Sequence, residues 1–268
     1  MTTMAGTVNS ALSILSLVCV PLLPVSPSPA LAGAWTLSAG RGQAIVTGLY
    51  SGATAAFDER GGSVDHPDFA KGTVSGRVEY GLTDRVTILG SGEIGSERDG
   101  DLPFARPAMS EAAIGARVRM YDRDGFVASA QLSGLVEPSG DGRHLDWSQP
   151  TLEPRLLAGY GFQIGGMPAF VDAEAGYRYR TGTAPDEIRI DLTVGLRPWP
   201  DVLILAQSFS TISAGGGTAG RYDYHKAEGS VVYDVSKRWS LQAGVFATVA
   251  GTNALKERGL VTALWYRF

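Results

Sequence analysis

The chain has three histidines and one cysteine, so nucleophilic, general-base and metal chemistry have few places to reside. His225 is followed by Lys226 and Ala227, with no serine two residues on. His66 stands between Asp65 and Pro67, and His144 lies close to Asp146; neither has the serine-bearing elbow that would supply an activated nucleophile. Histidines in such loops are ordinarily solvated. Their scatter offers no zinc spacing, and Asp58, Glu59 and Asp65 match no calcium loop. No catalytic residue, cofactor or metal site is expected.

The remaining chemistry is ionic. From Glu187 to Arg197 one set of alternate residues is Ile188, Ile190, Leu192, Val194 and Leu196, and the other is Arg189, Asp191, Thr193, Gly195 and Arg197. Val171, Ala173, Ala175, Tyr177 and Tyr179 likewise oppose Asp172, Glu174, Arg178 and Arg180. Ile114, Ala116, Val118 and Met120 oppose Arg117 and Arg119. Side chains alternate across a strand, so these segments read as strands with one apolar and one charged face. The same rule puts Arg77, Glu79, Glu93, Gln131, Arg155, Lys226, Glu228, Asp234 and Arg267 on the charged face, while Val202 to Ile212 is ambiguous because Leu203 and Leu205 share a face with Gln207.

On this assignment the charged face holds ten cations (Arg77, Arg117, Arg119, Arg155, Arg178, Arg180, Arg189, Arg197, Lys226, Arg267) against seven acids (Glu79, Glu93, Asp172, Glu174, Asp191, Glu228, Asp234). Charges in a low-dielectric shell tend to pair, which gives a stiffening ladder of salt bridges. The alternative is a guanidinium surplus that favours anionic or acidic-sugar solutes, because arginine grips carboxylates bidentately.

The elements that carry these faces are strands. Thirty-five glycines, ten tyrosines and nine phenylalanines suit many short strands and tight turns better than helices, since glycine weakens helix interiors. Twelve strands are expected: Gly42 to Ser51, Thr73 to Leu82, Val86 to Glu97, Glu111 to Tyr121, Phe126 to Leu135, Pro154 to Phe162, Ala169 to Arg180, Glu187 to Arg197, Val202 to Ile212, Tyr222 to Val235, Trp239 to Val249 and Arg258 to Phe268. Their connections alternate between short turns and longer loops, the longest being Gly52 to Gly72, Arg98 to Ser110 and Ser139 to Glu153. An even strand number with this rhythm is the pattern of a bacterial transmembrane barrel, with tight periplasmic turns and long outer loops. A soluble barrel would invert the two faces. Tyr50, Tyr80, Tyr121, Tyr160, Tyr177, Tyr233, Trp239 and Tyr266 fall near strand ends, where interfacial aromatic girdles sit.

The first forty residues carry no charge, and the apolar segment Ala11 to Val20 precedes Pro21, Pro24, Pro27 and Pro29. A spanning helix needs about 20 apolar residues, so this segment is too short. It reads as a secretory signal, residues 1–32, with Ala30-Leu31-Ala32 as a small-x-small cleavage site before Gly33. No Lys or Arg precedes the apolar segment, as a misassigned start would explain. Cys19 falls within the signal, leaving the mature chain without a disulfide framework. A net charge of -4 without a basic block leaves no footprint for nucleic acid. The expected fold is all-β: one antiparallel transmembrane β-barrel of about 12 strands over residues 33–268, in the cell outer membrane.

The chain ends Leu260-Val261-Thr262-Ala263-Leu264-Trp265-Tyr266-Arg267-Phe268, with Leu264, Tyr266 and Phe268 on one face. This resembles the terminal signature of Gram-negative outer-membrane proteins, which implies recognition by the barrel-assembly machinery and contact with outer-membrane lipid. Gly33-Ala34-Trp35-Thr36, Gly40-Arg41-Gly42-Gln43 and the hairpin Val78-Glu79-Tyr80-Gly81-Leu82-Thr83-Asp84 resemble outer-membrane transporters of the phenol-degradation and XagA-type, exopolysaccharide-associated group. The resemblance implies a barrel of this size and passage of small or saccharide solutes, and transfers no site residue. Two other classes compete with a channel: an accessory or structural barrel whose loops bind a partner or polysaccharide, and a phospholipase. Some 12-stranded outer-membrane barrels are phospholipases pairing a histidine with the serine that His225 lacks.

Overall fold

The computed structural model describes residues 33–137, 145–215 and 220–268; the expected signal peptide and His144 lie outside the described residues. The strands are β1 (Gly42–Phe57), β2 (Ser63–Thr83), β3 (Val86–Asp99), β4 (Ala108–Arg123), β5 (Phe126–Val136), β6 (Thr151–Ile164), β7 (Met167–Arg180), β8 (Asp186–Trp199), β9 (Val202–Gly215), β10 (Asp223–Asp234), β11 (Trp239–Thr252), β12 (Ala254–Leu255) and β13 (Arg258–Arg267). Twelve are long, and β12 is a two-residue extra strand against the outer end of β1. All pair antiparallel, and β1 pairs with both β2 and β13, Gln43 lying opposite Arg267 and Tyr50 opposite Leu260. Closure leaves no long edge unpaired, which a β-structure needs where no water can satisfy its backbone.

Local chemistry sets the short turns. Asp124 and Gly125 have φ of 53° and 82°, and Gly165 and Gly166 have 57° and 83°. Two successive positive-φ residues make the mirror-image turn whose twist matches that of the flanking strands. These turns, with those after β2, β8 and β10, lie at the end of the barrel that also holds Gly42 and Phe268.

The two faces of each strand meet different surroundings. On β8, Ile188 and Leu192 are 39% and 48% exposed, while Glu187 and Thr193 are 0% and 2%. Val46, Val78, Ile114, Leu132, Leu156, Val231 and Leu264 continue the exposed apolar belt round the barrel. A soluble barrel buries its apolar face; this one shows it, as a lipid-facing wall must. Among the described residues no helix is long and apolar enough to cross a membrane. Near the short-turn end Trp239 and Tyr266 rings lie 4.5 Å apart, and Tyr266 and Phe268 5.8 Å.

Two expectations change. Much of Gly52 to Gly72, read as a loop, is strand: β1 runs to Phe57 and β2 starts at Ser63, with Phe57 opposite Ser63 and Ala53 opposite Phe69. From Ser63 to Asp68 both faces of β2 meet water, so the ladder continues there without the alternation that marks a spanning strand. The ambiguous β9 is also settled. Leu203 and Leu205 point into the barrel and pack with Ile45, Phe170, Val232, Ala263 and Trp265 as an apolar plug in the lumen.

Candidate functional site

Residues 33–41 do not hang below the barrel; they enter it. Gly40 N–H donates to Gly81 O at 2.9 Å and Ala39 N–H to Asp84 Oδ1 at 2.9 Å, anchoring the segment at the rim of β2. The Thr36 hydroxyl donates to Asp84 O at 2.8 Å, and Leu37 N–H to Thr87 Oγ1 at 2.9 Å. Arg117 Nη1 of β4 donates to Trp35 O at 3.1 Å, the Ser129 hydroxyl of β5 donates to Ala34 O, and Ala34 N–H reaches Asp172 Oδ1 of β7 at 2.9 Å. The strap therefore crosses the lumen to the opposite wall. Trp35 meets Phe170 edge-on at 6.1 Å, joining strap to apolar plug. Its indole lies so close to Gly159 that a side chain there would collide with it.

Beyond the strap the wall of β4 to β8 is an ion-pair network. Arg155 contacts Glu153 at 2.5 Å, Glu174 at 3.1 Å and Asp191 at 2.7 Å. Arg178 contacts Glu153 at 2.6 Å, Glu111 at 2.9 Å and Glu137 at 3.3 Å. Arg180 contacts Glu137 at 2.9 Å and Glu187 at 3.0 Å. Sharing one guanidinium among several carboxylates spreads the desolvation cost over the network. Among the described residues, Arg178 Nη2, Glu111 Oε1 and Glu187 Oε2 are buried polar atoms without a hydrogen-bond partner. Burial raises the Glu137 carboxyl, just past the end of β5, but hydrogen bonds and charge from Arg180 and Arg178 outweigh it and hold the group at about 2.

The other sequence-selected residues are placed as follows. Glu79 joins Arg77 at 2.7 Å and Arg117 at 3.3 Å. Asp234 takes both Arg197 at 2.8 Å and Arg267 at 3.1 Å near the short-turn end. Lys226 pairs with Glu257 at 3.2 Å, and the Ser110 hydroxyl donates to Glu93 at 2.7 Å. Arg189 is buried on the same face of β8 as Asp191, while Glu228 on β10 is partly buried. Arg119 turns to Asp122 at 2.7 Å at the rim, away from the network. Leu264, Tyr266 and Phe268 face outward.

The acids that complete the network were missed. Glu111, Glu153 and Glu187 have the parity of Arg117, Arg155 and Arg189, so alternation itself could have found them. They stand at the start of an apolar run or just before it, where the alternation is least marked. Glu137 and Glu257 lie in links that carry no alternation. Among the described residues these five acids and Lys71 bring the set to eleven cations and twelve acids, ten cations once Arg119 at the rim is left out, so the expected arginine surplus is not kept.

Outside the barrel, His225 of β10 lies opposite Ser210 of β9. Its Nδ1 is 2.8 Å from the serine hydroxyl, and its Nε2 is 3.7 Å from Asp223 Oδ2.

Fold and belt together define an outer-membrane β-barrel, and the chain resides in the cell outer membrane. It is similar to the COG4313 outer membrane channel from Pseudomonas putida F1, with a TM-score of 0.67 and 15% identity over 88% of this chain and 98% of that one. The NanC porin gives a TM-score of 0.54 at 9% identity, over 83% and 98%. The β domain of the Bordetella autotransporter BrkA gives 0.53 at 13%, over 86% and 100%. No family model and no curated protein matches the chain.

Proposed function

We propose that the chain is a gated channel for small polar solutes, acidic or neutral saccharides among them, as its resemblance to the exopolysaccharide-associated transporters implies. The observation that carries this reading is a closed barrel with a charged inner wall, crossed among the described residues by a hydrogen-bonded strap. A 12-stranded lumen is narrower than that of a porin with about 16 to 18 strands. With cations and acids nearly balanced, long-range anion selectivity has little basis. Recognition would be local: a solute carboxylate replaces a wall carboxylate at Arg155, Arg178 or Arg180, and sugar hydroxyls meet the unpartnered oxygens of Glu111 and Glu187.

Planar-bilayer recording tests this. The intact barrel is expected to show small, weakly selective currents, a chain lacking residues 33–37 larger ones, and galacturonate should block the latter in a concentration-dependent way. No conductance from either protein, or strong cation selectivity, would sink the reading.

A second reading rests on the outer face. A serine, a histidine and a carboxylate meet there across β9 and β10, with the Thr252 hydroxyl donating to Asp223. This arrangement favours an acyl hydrolase acting on membrane lipid. Labelling of Ser210 by a fluorophosphonate, lost in His225→Ala, supports it; an unlabelled serine in the folded barrel removes it.

A further inference from the structure

The strap ends at a place the channel reading does not explain. Gly33 is buried in the lumen, and a Cβ on it would collide with Glu174 Oε1 and lie 3.1 Å from Asp172 Oδ2. Its backbone thus rests directly on two neighbouring carboxylates of β7. The same Asp172 accepts the Ala34 N–H through Oδ1 at 2.9 Å. Glu174 is held through its other oxygen, Oε2, by Arg155 at 3.1 Å, and that arginine also serves Glu153 and Asp191. Arg117, the next cation along the strap, is engaged with Glu79 and the Trp35 carbonyl. Around Gly33, Glu174 and Asp191 therefore share Arg155 with Glu153, while Asp172 accepts the Ala34 N–H with the charge of Arg117 near it, and a peptide nitrogen adds no positive charge of its own.

Gly33 is also the residue that follows Ala30-Leu31-Ala32, the small-x-small site at which a signal peptidase would cut. Cleavage hydrolyses the Ala32–Gly33 peptide bond: water gives its oxygen to the Ala32 carbonyl, and Gly33 is left with a free amino group. At neutral pH a large fraction of such a group is protonated in water, and two adjacent carboxylates favour the charged form further. We infer that the mature α-ammonium of Gly33 docks on Asp172 and Glu174, so that export processing creates the cation that locks the strap across the lumen. The site takes an amino terminus, and glycine suits it: a side chain here would meet the Glu174 carboxyl and require it to move away from its place beside Arg155. Neither an uncleaved chain nor one cut elsewhere presents that charge at this spot.

The experiment uses mature barrel purified from outer membranes and reads chemistry rather than current, so its failure is separate from failure of the channel reading. Intact-mass spectrometry should show a chain starting at Gly33. Reductive methylation with deuterated formaldehyde should then leave the Gly33 amine unmodified in the folded barrel while surface lysines react, and modify it fully after heat unfolding. In Asp172→Asn/Glu174→Gln, kept folded as judged by heat-modifiable migration, the amine should react at least tenfold faster than in the native barrel. A different starting residue, or a Gly33 amine as reactive as the surface lysines in the native barrel, overturns the inference. If the double variant does not fold, the comparison of native with heat-unfolded wild type still decides it.

Discussion

Arg178 is the side chain on which the wall depends most. It is fully buried and touches Glu111, Glu137 and Glu153, so removing its charge strands the buried carboxylates of Glu111 and Glu153. Breaking a buried pair from one side costs about 3–5 kcal/mol, and Arg178→Met is expected to lower the urea midpoint of the folded band accordingly. Arg178→Met/Glu111→Gln/Glu153→Gln should recover much of the loss, because it removes the stranded charges too. Glu137 makes the wall sensitive to acid. Its carboxyl, at about 2 in the folded barrel, lies below its unfolded value. Its contribution is therefore complete above the ordinary glutamate range near pH 4.5 and lost as pH falls through about 2. Urea midpoints measured between pH 5 and 2 should drop, and Glu137→Gln should flatten that drop. At this scale the sequence was half legible. Alternation found the arginines inside long apolar runs, whereas their acid partners at strand ends had no run to mark them.

Strands whose faces meet lipid on one side and the lumen on the other announce themselves by period, which is why β7 and β8 were readable to within a residue or two. The outer hairpin of β1 and β2 was not, because Ser63 to Asp68 meet water on both sides and the small residues of Gly52 to Ala56 carry no apolar–polar alternation. The strap was not legible either: nine residues without periodicity give no sign that they turn into a barrel rather than away from it. One position tests their contact. Gly159 leaves room for the Trp35 indole, and a Cβ there would collide with it. Gly159→Val is expected to expel Trp35 from its seat against Phe170, red-shifting tryptophan emission and raising single-channel conductance. Gly161→Val, with no strap atom near that site, should change neither. An unaltered emission spectrum in Gly159→Val would mean that the strap accommodates the side chain without leaving.

For the whole molecule the decisive residue is the last. Phe268 N–H donates to Gly42 O at 2.9 Å, and Gly42 N–H donates to Phe268 O at 2.8 Å, so the final residue joins the first strand to the last. Its ring lies over Gly42, where a Cβ would collide with it, and stacks beside Tyr266 in the short-turn girdle. The terminal pattern of Leu264, Tyr266 and Phe268 resembles an address for the assembly machinery, yet the geometry also makes it a clasp. These roles separate by experiment. Phe268→Ser keeps both backbone hydrogen bonds and removes the aromatic ring. If the ring is an address, the variant should accumulate poorly in outer membranes, by about tenfold, yet refold from urea into detergent nearly as well as the wild type. If the ring is a clasp, refolded barrel should also lose stability, by about 1–2 kcal/mol for an interfacial aromatic partly withdrawn from lipid. Measuring folded yield in cells beside urea midpoints in micelles distinguishes the two, and equal behaviour of both proteins in both assays would leave the terminal aromatic without either role.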